Sequence, residues 1–486
     1  MTPKDFAISI VRTLRDRGYQ AYFVGGCVRD LLLGREPADY DVATDAKPDE
    51  VMQIFPDTYA VGAQFGVVLV PIPDSSGIQN SGVETHLPGC HSERSDPIRS
   101  GIGSEVEEPA FPGHSHKLCV EVATFRADIG YSDGRHPDEV RFSRDPQEDV
   151  QRRDFTINGL LFDPIENEVL DFVGGQNDLK AGIIRAIGGP AFRFTEDKLR
   201  MLRAVRFAAR FGYQIDRATF AAIQYLAEQI HQVSRERVRD ELTRMLTEGH
   251  ARRAFELLDK SGLLREVLPE IAAMKGVEQP PEFHPEGDVF VHTMLMLERL
   301  PHPCPAALAW GTLLHDVGKP PTFRRAPDRI RFDEHARIGT KMAEEVCRRL
   351  RFSNDETEQI SALVENHMRF MDVERMNPST FKKFIRLPHF DQHLELHRLD
   401  CESSHRNLRL YEFTREKMTE LPPDAVRPAP FLTGEDLIKA GYSPGPQFKE
   451  ILSAVEDAQL DGRIHSSVDA MEFVRREFPR KIKNSA

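Results

Sequence analysis

The sequence lacks any long apolar run. No stretch approaches the roughly eighteen consecutive apolar residues that a membrane-spanning helix needs. The N-terminus MTPKDFAISIVRTLRDRGYQ is charged and amphipathic, which predicts a first helix and no signal peptide. The six cysteines are scattered without C-x-x-C spacing. This excludes a zinc knuckle and argues against a disulfide framework, so we expect a cytoplasmic protein with no membrane association.

An excess of positive charge is also missing. The chain has 64 Lys and Arg against 77 Asp and Glu, for a net charge of −13. Such a chain does not bind polyanions indiscriminately, and a nucleic acid would have to meet local basic patches such as SRERVRDELTRM. The sequence contains no internal repeat, and nothing in it implies a stable protein partner.

At 486 residues the chain is too long for one hydrophobic core. Its first part mixes strand-like runs with short helices, which predicts an α+β fold with a mixed sheet, whereas β patterns nearly vanish after Arg193. Two Pro-rich segments, GVEQPPEFHPEG and ELPPDAVRPAP, are predicted linkers. The predicted domains are an α+β head at 1–185 with a polar insertion at 73–116, a helical neck at 186–270, a third helical domain at 280–405 and a helical tail at 425–486.

The stretch GGCVRDLLLGREPADYDVAT begins with a glycine turn after the apolar strand QAYFV. Gly25 and Gly26 permit the tight turn and the close backbone approach that a triphosphate needs. Arg29 lies about one helical turn further on, where it can face the same anion. Many turns of this kind bind no phosphate, so the turn alone leaves the question open.

Two aspartates close the same stretch. Asp39 and Asp41 alternate with Tyr40 and Val42, so a strand would point both carboxylates to one face, where they suit Mg²⁺. Glu121 occupies an alternating strand after the insertion. If the two strands pair, three carboxylates converge and can hold two Mg²⁺ ions. The alternative is a set of solvated carboxylates at polar strand ends.

The segment RRDFTIN offers two kinds of polar group. Arginine forks such as that of Arg153 suit phosphate oxygens, while Asp154 and Asn158 suit ribose hydroxyls. The alternative is a surface cluster of salt bridges.

The segment TEDKLRMLRAVRFAAR predicts one helix with Thr195 as its N-cap. Asp197 and Arg200 lie three residues apart, and together they accept and donate as the Watson–Crick edge of cytosine or adenine requires. The alternative is a solvated basic face. The arginines that share this face are Arg200, Arg203, Arg206 and Arg210.

These motifs occur in the order seen in class II tRNA nucleotidyltransferases, the CCA-adding enzymes, which the sequence resembles. Bacterial poly(A) polymerases share most of them. The resemblance covers about residues 21–246 apart from the insertion, with a further similarity in the tail segment LTGEDLIKAGYSPGPQFKEIL. It implies a nucleotidyltransferase head that adds CMP and AMP, from CTP and ATP, to the 3′ end of tRNA by two-metal chemistry and releases pyrophosphate.

The resemblance also implies roles for individual residues. Asp39 and Asp41 would be the Mg²⁺ ligands with Glu121 as the third carboxylate, and Gly26 and Arg29 would contact the nucleotide. Arg153 would contact the sugar or triphosphate. The protein template that selects CTP and then ATP would consist of Asp197 and Arg200, with Arg203 and Arg206 further along the same surface.

Three alternatives to the full CCA-adding activity stay open. The loop FRADIGYSDGRHPDEV resembles the flexible loop that addition of the final adenine needs, but an enzyme that adds only A would carry it as well. VGAQFGVVLV lacks the basic residues of bacterial poly(A) polymerases, which favours tRNA over a poly(A) polymerase. In the third alternative, the C-terminal half is a phosphohydrolase and the head is a non-catalytic RNA-binding module.

The C-terminal half contains a second set of chemical groups on predicted helices. A His-Asp pair on an apolar helix needs partners because buried charge is costly, and imidazole with carboxylate suits Mn, Fe, Co or Ni. The pattern resembles the HD phosphohydrolase superfamily, which would make 280–405 an HD domain and implies activity on 2′,3′-cyclic or 2′-phosphorylated ends. Taken singly, each histidine is more typical of an ordinary core or surface position. The implied ligands are His292, His315, Asp316 and Asp400, with His335 and His367 extending the site to two metals.

Overall fold

The computed structural model of the protein describes residues 1–60, 66–73, 119–130 and 139–479. The predicted insertion at 73–116 lies outside these residues apart from Pro73. The same holds for 61–65 of VGAQFGVVLV and for 131–138 of the predicted flexible loop. The chain forms two compact units, which are Met1–Glu241 with Leu257–Val267, and Leu242–Glu256 with Leu268–Ala486.

The strands of the first unit come mainly from the apolar runs of the sequence. They are β1 Ala21–Val24, β2 Asp41–Thr44, β3 Val67–Pro71, β4 Cys119–Thr124, β5 Arg126–Ile129, β6 Glu139–Phe142, β7 Leu160–Asp163, β8 Glu168–Asp171, β9 Ile183–Ile184 and β10 Gln214–Ile215. A six-stranded sheet has the order β3-β4-β2-β1-β7-β8. Its β2–β4 pair is parallel and its other pairs are antiparallel, which confirms the predicted mixed sheet.

Helices pack around this sheet and continue beyond it. They are α1 Pro3–Asp16, α2 Gly26–Leu32, α3 Pro48–Ile54, α4 Pro146–Gln151, α5 Gly175–Ala181, α6 Pro190–Glu196, α7 Leu199–Phe211, α8 Arg217–Leu226, α9 Arg235–Thr247, α10 Ala251–Lys260 and α11 Leu263–Val267, with 3-10 turns at Thr156–Asn158 and Ala227–Gln232. Helix α1 confirms the predicted first helix. Thr2 and Asp5 cap it reciprocally, and its apolar stripe of Ile10 and Leu14 joins the core beneath the sheet.

The prediction that one helix starts after Thr195 is wrong. Thr195 lies inside α6, and its hydroxyl donates to the carbonyl of Ala191. The chain then breaks at Asp197, whose backbone is extended, before α7 begins at Leu199. The Asp197 carboxylate accepts the Leu199 N–H at 3.0 Å, so the aspartate satisfies a donor that the threonine was predicted to satisfy.

Among the described residues of the second unit, the regular structure is helical apart from one hairpin of two-residue strands, β11 Arg324–Arg325 with β12 Ile330–Arg331. Its helices are α12 Pro269–Ala272, α13 Val289–Glu298, α14 Ala306–Leu314, α15 Lys319–Thr322, α16 His335–Arg349, α17 Asn354–Asn366, α18 Pro378–Ile385, α19 Phe390–Ser403, α20 Arg409–Glu420, α21 Pro423–Val426, α22 Gly434–Lys439, α23 Pro446–Leu460 and α24 Ser467–Glu477, with a 3-10 helix at His367–Arg375. This confirms the predicted change from α+β to helical structure. Within the described residues, no helix combines the length and the apolar character needed to cross a membrane.

Candidate active site and metal centre

The glycine turn joins β1 to α2. Gly25 has φ +77°, which favours glycine, and its N–H donates to the carbonyl of Leu160 at 3.2 Å. A Cβ at Gly25 would lie 3.3 Å from Nη1 of Arg153. The structure therefore brings the predicted phosphate turn, with Gly26 as the first residue of α2, next to the arginine that the sequence singled out as an anion contact.

The two carboxylate strands pair, which was the condition for their carboxylates to converge. Strands β2 and β4 are parallel neighbours, and Asp41 lies directly opposite Glu121 in their register. Neighbouring strands are about 4.8 Å apart, so the two residues are adjacent. Val42, Val120 and Val122 are buried while both acids are half-buried. The acids therefore alternate with the core-facing valines.

Asp39 departs from the prediction because it precedes the strand. β2 begins at Asp41, and Asp39 lies in the bend before it. Burial nevertheless alternates as predicted, with Tyr40 and Val42 buried and both aspartates half-buried. Hard carboxylate oxygens fit a divalent cation such as Mg²⁺. The metal-binding roles of Asp39, Asp41 and Glu121 stay a prediction.

Arg29 was predicted to contact the nucleotide, and that role stays a prediction. Its side chain is fully buried, Nη1 donates to Oδ1 of Asn158 at 2.8 Å and Nε donates to Asp30 at 2.9 Å. The guanidinium lies 4.6 Å from the ring centroid of Phe211 on α7. Arg29 therefore contacts another residue of the predicted nucleotide site, Asn158, which is itself buried.

A buried carboxylate that the sequence analysis missed organises the two arginines of RRDFTIN. Asp149 on α4 is 1% exposed, and it accepts from Arg152 Nε and Arg153 Nη2 at 2.9 Å each. Burial alone would raise the pKa of Asp149, but the two guanidinium groups outweigh it and lower that pKa to about 2. The spacing of three and four residues on one helical turn was the pattern that could have identified it.

The predicted ribose-binding pair is connected to the arginine helix. Asp154 accepts from Asn158 Nδ2 at 3.1 Å and from Arg203 Nε at 3.0 Å. Burial raises the pKa of Asp154, and the charge of Arg203 with the amide of Asn158 lowers it further than burial raises it. Asp154 is therefore held as a carboxylate, in contact with two other residues of the predicted nucleotide site.

The two residues predicted to select the base have separate side-chain partners. The Arg200 N–H donates to the Asp197 carbonyl at 3.2 Å, so their backbones are adjacent as predicted. The Asp197 carboxylate, however, accepts from Arg237 Nη2 at 2.9 Å, and Arg200 Nη1 donates to Glu196 Oε2 at 2.6 Å. Glu196 and Arg237 were not among the predicted site residues.

Arg206 is not on the surface that the spacing predicted. It is 1% exposed, and its Nε donates to Glu241 Oε2 on α9 at 2.7 Å. Arg203 approaches the same carboxylate at 3.6 Å. At Arg203 and Arg206 the predicted basic face therefore meets an acidic neighbour, because Glu241 on α9 neutralises the buried charge there.

In the second unit, the residues of the predicted HD quartet come together. His292 Nε2 lies 3.2 Å from Asp400 Oδ1, and the rings of His292 and His315 are 5.4 Å apart. His315 Nε2 lies 3.1 Å from Asp316 Oδ2. The histidines and Asp316 are buried, whereas the Asp400 side chain is 27% exposed, which leaves this side of the cluster accessible.

The two additional histidines complete a second ligand group. Asp316 Oδ1 lies 3.7 Å from His335 Nε2 and 3.8 Å from His367 Nε2, and the two Nε2 atoms are 3.2 Å apart. In this group, and in that of His292 with His315 and Asp400, the ligand atoms lie within 4.8 Å of one another. Among the described residues, Asp39, Asp41 and Glu121 are not in such a group.

Backbone carbonyls orient three of these imidazoles. Each Nδ1 contacts a carbonyl three residues earlier in the chain, and since a carbonyl only accepts, each Nδ1 carries the proton and leaves Nε2 as a ligand atom. Two nitrogens bound at right angles about 2.1 Å from one ion would be about 3.0 Å apart, close to the observed spacing of His335 and His367. The contacts are His315 to Thr312 at 2.9 Å, His335 to Phe332 at 2.9 Å and His367 to Val364 at 2.7 Å.

The protonation of the cluster follows from burial and from charge. Burial, with the neighbouring His315, lowers the pKa of His367 to about 3, and burial also lowers the pKa of His335. Burial acts in the same direction on His292, but its bonds to Asp400 and Glu286 outweigh burial and raise its pKa to about 9. The pKa of Asp316 is lowered well below its usual value, mainly by His315 and against burial. Neutral imidazole and ionised carboxylate are the forms that bind transition metals.

The glycine of LLHDVGK, Gly318, lies where a side chain would clash with neighbouring backbone. A Cβ at Gly318 would lie 2.1 Å from the carbonyl oxygen of His335 and 2.6 Å from the N–H nitrogen of Gly339. Only glycine therefore lets the start of α16 approach the His-Asp pair closely enough for His335 to face Asp316.

The Pro-rich segment at 276–287 is not the linker that its composition predicted. Glu286 Oε1 accepts from His284 Nδ1 at 2.9 Å and from His292 Nδ1 at 2.7 Å. Gln279 Oε1 accepts from Lys319 Nζ at 2.7 Å. The segment packs against the metal centre, and His284 and Glu286 were missed because proline and glycine dominate the composition around them.

Family comparisons agree with this organisation. A model described as "Poly A polymerase head domain" matches residues 21–87 and 97–185, and "HD domain" matches 288–410. "Probable RNA and SrmB- binding site of polymerase A" matches 212–275. The HD match confirms that part of the sequence prediction.

Individual proteins give the same picture. The chain is 39% identical over 261 residues to a CCA-adding enzyme of Geobacillus sp. (strain WCH70), covering 54% of each, and 36% identical over 274 residues to one of Lactobacillus helveticus, covering 56% of this chain and 57% of the relative. The chain thus spans about half the length of the curated relatives it matches.

The crystal structure of the Bacillus stearothermophilus CCA-adding enzyme in complex with CTP aligns with a TM-score of 0.68 at 25% identity, covering 98% of this chain and 99% of that one. The chain is thus similar to the poly A polymerase head domain in its first part and to the HD domain in its C-terminal half, and its fold is similar to that of a CCA-adding enzyme over nearly its whole length.

Proposed function

We propose that the protein is a CCA-adding tRNA nucleotidyltransferase that transfers CMP and AMP from CTP and ATP to the 3′ end of tRNA. The observation that carries the proposal is the in-register pair Asp41 and Glu121, with Asp39 just before it, in a region similar to the poly A polymerase head domain. The relatives that bear the name CCA-adding enzyme, one of them solved with CTP, support the choice of substrates.

The carboxylates would hold Mg²⁺, which when bound neutralises the triphosphate and lowers the pKa of the attacking hydroxyl. Asp39, Asp41 and Glu121 fit this role because they offer hard oxygen ligands. The backbone at Gly25 and the guanidinium of Arg153 would bind the triphosphate. The terminal 3′-hydroxyl of tRNA attacks the α-phosphate, and pyrophosphate leaves.

Base selection would follow from donor and acceptor complementarity. Cytosine and adenine each present an exocyclic amino donor beside a ring nitrogen acceptor, so the Asp197 carboxylate accepts and the Arg200 guanidinium donates. Uracil presents an acceptor and a donor in the opposite places, so neither side chain finds a hydrogen-bond partner on that base. Asp154 and Asn158 would orient the ribose, and Arg29 and Arg203 would hold that pair in place.

The decisive experiment supplies tRNA lacking CCA with labelled CTP and ATP. Addition of two C residues and one A is expected, whereas addition of A alone would make this an A-adding enzyme and long A tails would make it a poly(A) polymerase. Asp41→Ala should lower incorporation at least 10³-fold, because electrostatic stabilisation by metal is the main catalytic contribution. Transfer that survives this substitution would refute the assignment of the head.

A second function is favoured by the converging ligands of the HD domain. We propose a metal-dependent phosphohydrolase centre in which His292, His315, Asp316 and Asp400 hold one ion of Mn, Fe, Co or Ni, and His335 and His367 with Asp316 hold another. Such a metal would supply an activated water to a phosphate ester. The support is the inward-facing Nε2 atoms and the burial of the cluster.

Metal analysis of the purified protein tests this second function. At least one bound transition metal is expected, together with hydrolysis of a 2′,3′-cyclic phosphate after addition of Mn²⁺ or Ni²⁺. Absence of both would reduce the domain to a scaffold. The expected compartment stays the cytoplasm, in keeping with the free thiols of Cys27, Cys304, Cys347 and Cys401.

A further inference from the structure

The Pro-rich segment at 276–287 precedes the residues that the HD domain model matches, which begin at 288. It nevertheless contacts one ligand group of the metal centre directly and reaches the other through Lys319. Glu286 bonds His292, and Gln279 bonds Lys319, whose Nζ lies 2.7 Å from Asp316 Oδ2. A segment with these contacts contributes to the centre even though it supplies none of the predicted ligands.

Glu286 makes the most direct of these contacts. A single oxygen, Oε1, accepts from Nδ1 of His284 at 2.9 Å and from Nδ1 of His292 at 2.7 Å. The Glu286 side chain is 8% exposed, and the His284 and His292 rings meet edge to face at 4.9 Å. The carboxylate is therefore fixed between two imidazoles, one of which is fully buried.

This geometry determines which nitrogen of His292 can bind a metal. Glu286 accepts from Nδ1 and so keeps a proton there, which leaves Nε2, 3.2 Å from Asp400, as the nitrogen that can bind a metal once it has lost its own proton. Carbonyls perform the same task for His315, His335 and His367, and His292 uses a carboxylate instead. A carboxylate also makes the imidazole a stronger ligand than a carbonyl does, because it stabilises positive charge on the ring.

We propose that Glu286, braced by His284, is a positioning residue of the HD metal centre that sets the orientation and ligand strength of His292. The inference rests on the proposed phosphohydrolase centre and deepens it. It predicts a defect confined to the ligand group of His292, His315 and Asp400, while the group of Asp316, His335 and His367 keeps its affinity.

The test measures Mn²⁺ binding to the full-length protein after removal of metal with a chelator, using the electron paramagnetic resonance of free Mn²⁺. Glu286→Gln keeps the size of the side chain and an oxygen that can accept from both imidazoles, but it removes the negative charge that stabilises positive charge on the ring of His292. We expect the Mn²⁺ affinity of one of the two sites to fall about 10- to 100-fold. Glu286→Asp should retain part of the affinity.

Glu278→Gln is the matched control. Glu278 belongs to the same segment, but it pairs at 2.6 Å with the exposed Arg325, so its replacement should leave both affinities unchanged. Thermal melting reports whether each variant is folded. Equal weakening of both sites by Glu286→Gln, or no weakening, would overturn the positioning role while the centre itself stands. Failure of the unmodified protein to bind Mn²⁺ would overturn the centre and this inference together.

Discussion

The two candidate sites differ in how their functional groups are held. In the head, Asp197 is paired with Arg237 and Arg200 with Glu196, and the carboxylates Asp41 and Glu121 are half-buried. In the HD domain, buried Nε2 atoms face one another, and the distance between those of His335 and His367 is 3.2 Å. In the head, the polar side chains of the site pair with other side chains. In the HD domain, imidazole nitrogens and carboxylate oxygens lie close together, an arrangement that a bound cation would stabilise.

This difference corresponds to two kinds of ligand. A nucleotide and its Mg²⁺ arrive and leave in each cycle, so the side chains that bind them need partners in the meantime. A metal that remains bound can keep its ligands permanently arranged around it. Without the metal, burying several imidazoles and carboxylates side by side is unfavourable. The comparison thus predicts separable functions, which substitutions in either site can test.

Within the HD domain, the largest effect is expected from Asp316→Asn. This residue lies within 3.8 Å of His315, His335 and His367, and it pairs with Lys319. Loss of its charge should remove bound metal and lower phosphohydrolysis more than 100-fold. It leaves the buried Lys319 ammonium without its counter-charge, which costs about 3 kcal/mol of unfolding free energy. Metal content and chemical denaturation measure the two effects.

CTP incorporation into tRNA is the control for this substitution. It should stay within about twofold of the unmodified protein, because Asp316 has no part in the proposed transfer. Asp41→Ala provides the reciprocal case, with transfer lost and metal content retained. Loss of both activities in either variant would contradict the separation of the two sites.

Many strands and site residues could be predicted from the sequence, because the spacing of apolar residues and the local composition are properties of short segments. The alternation in VEVAT predicted the strand of Glu121, and the resemblance carried by the His-Asp motif implied the group of metal ligands. Prediction from the sequence failed for residues whose environment depends on a contact with a residue distant in the chain. Arg206 was predicted to be exposed because nothing local reveals Glu241, and 276–287 was predicted to be a linker because its contacts come from folding.

The second prediction concerns pH. Without metal, the pKa of His292 is raised to about 9, so at neutral pH a metal must displace a proton from it. Affinity at this group should rise about tenfold per unit between pH 6 and 8. The group of His335 and His367, whose pKa values are lowered, should show no such rise. Mn²⁺ titrations at three pH values measure this, and parallel profiles would contradict it.

The same raised pKa affects the stability of the metal-free protein. Protonated His292 stabilises the fold fully below about pH 6.5, the pKa expected in the unfolded chain. That stabilisation is lost as pH rises through about 9, the pKa in the folded protein. Denaturation of metal-free protein at pH 6, 8 and 9.5 should therefore show a falling unfolding free energy, and added Mn²⁺ should reduce the decline.

A smaller effect is expected from Arg237→Gln in the head. Its guanidinium holds the Asp197 carboxylate with bonds of 2.9 and 3.3 Å, so its loss should leave that carboxylate poorly oriented for the base. We expect KM for CTP and ATP to rise about tenfold, the equivalent of one charge-assisted hydrogen bond, with a smaller change in kcat. Arg239→Gln, which alters a neighbour paired with exposed Asp240, is the control. Equal KM values in the two variants would show that Asp197 needs no support.

The smallest effect on catalysis is expected from Arg206→Lys, and its contrast with Arg203→Lys tests the corrected position of Arg206. Arg206 is buried against Glu241 and lies 4.4 Å from the Phe207 ring, whereas Arg203 holds Asp154 in the proposed nucleotide site. Lysine keeps the charge but loses the planar fork. Arg206→Lys should therefore lower the unfolding free energy by about 1–2 kcal/mol and leave KM for CTP within about twofold. Arg203→Lys should raise KM about threefold or more. If instead Arg206→Lys has the larger effect on KM, the buried arginine takes part in binding the nucleotide, as the basic face predicted from the sequence requires.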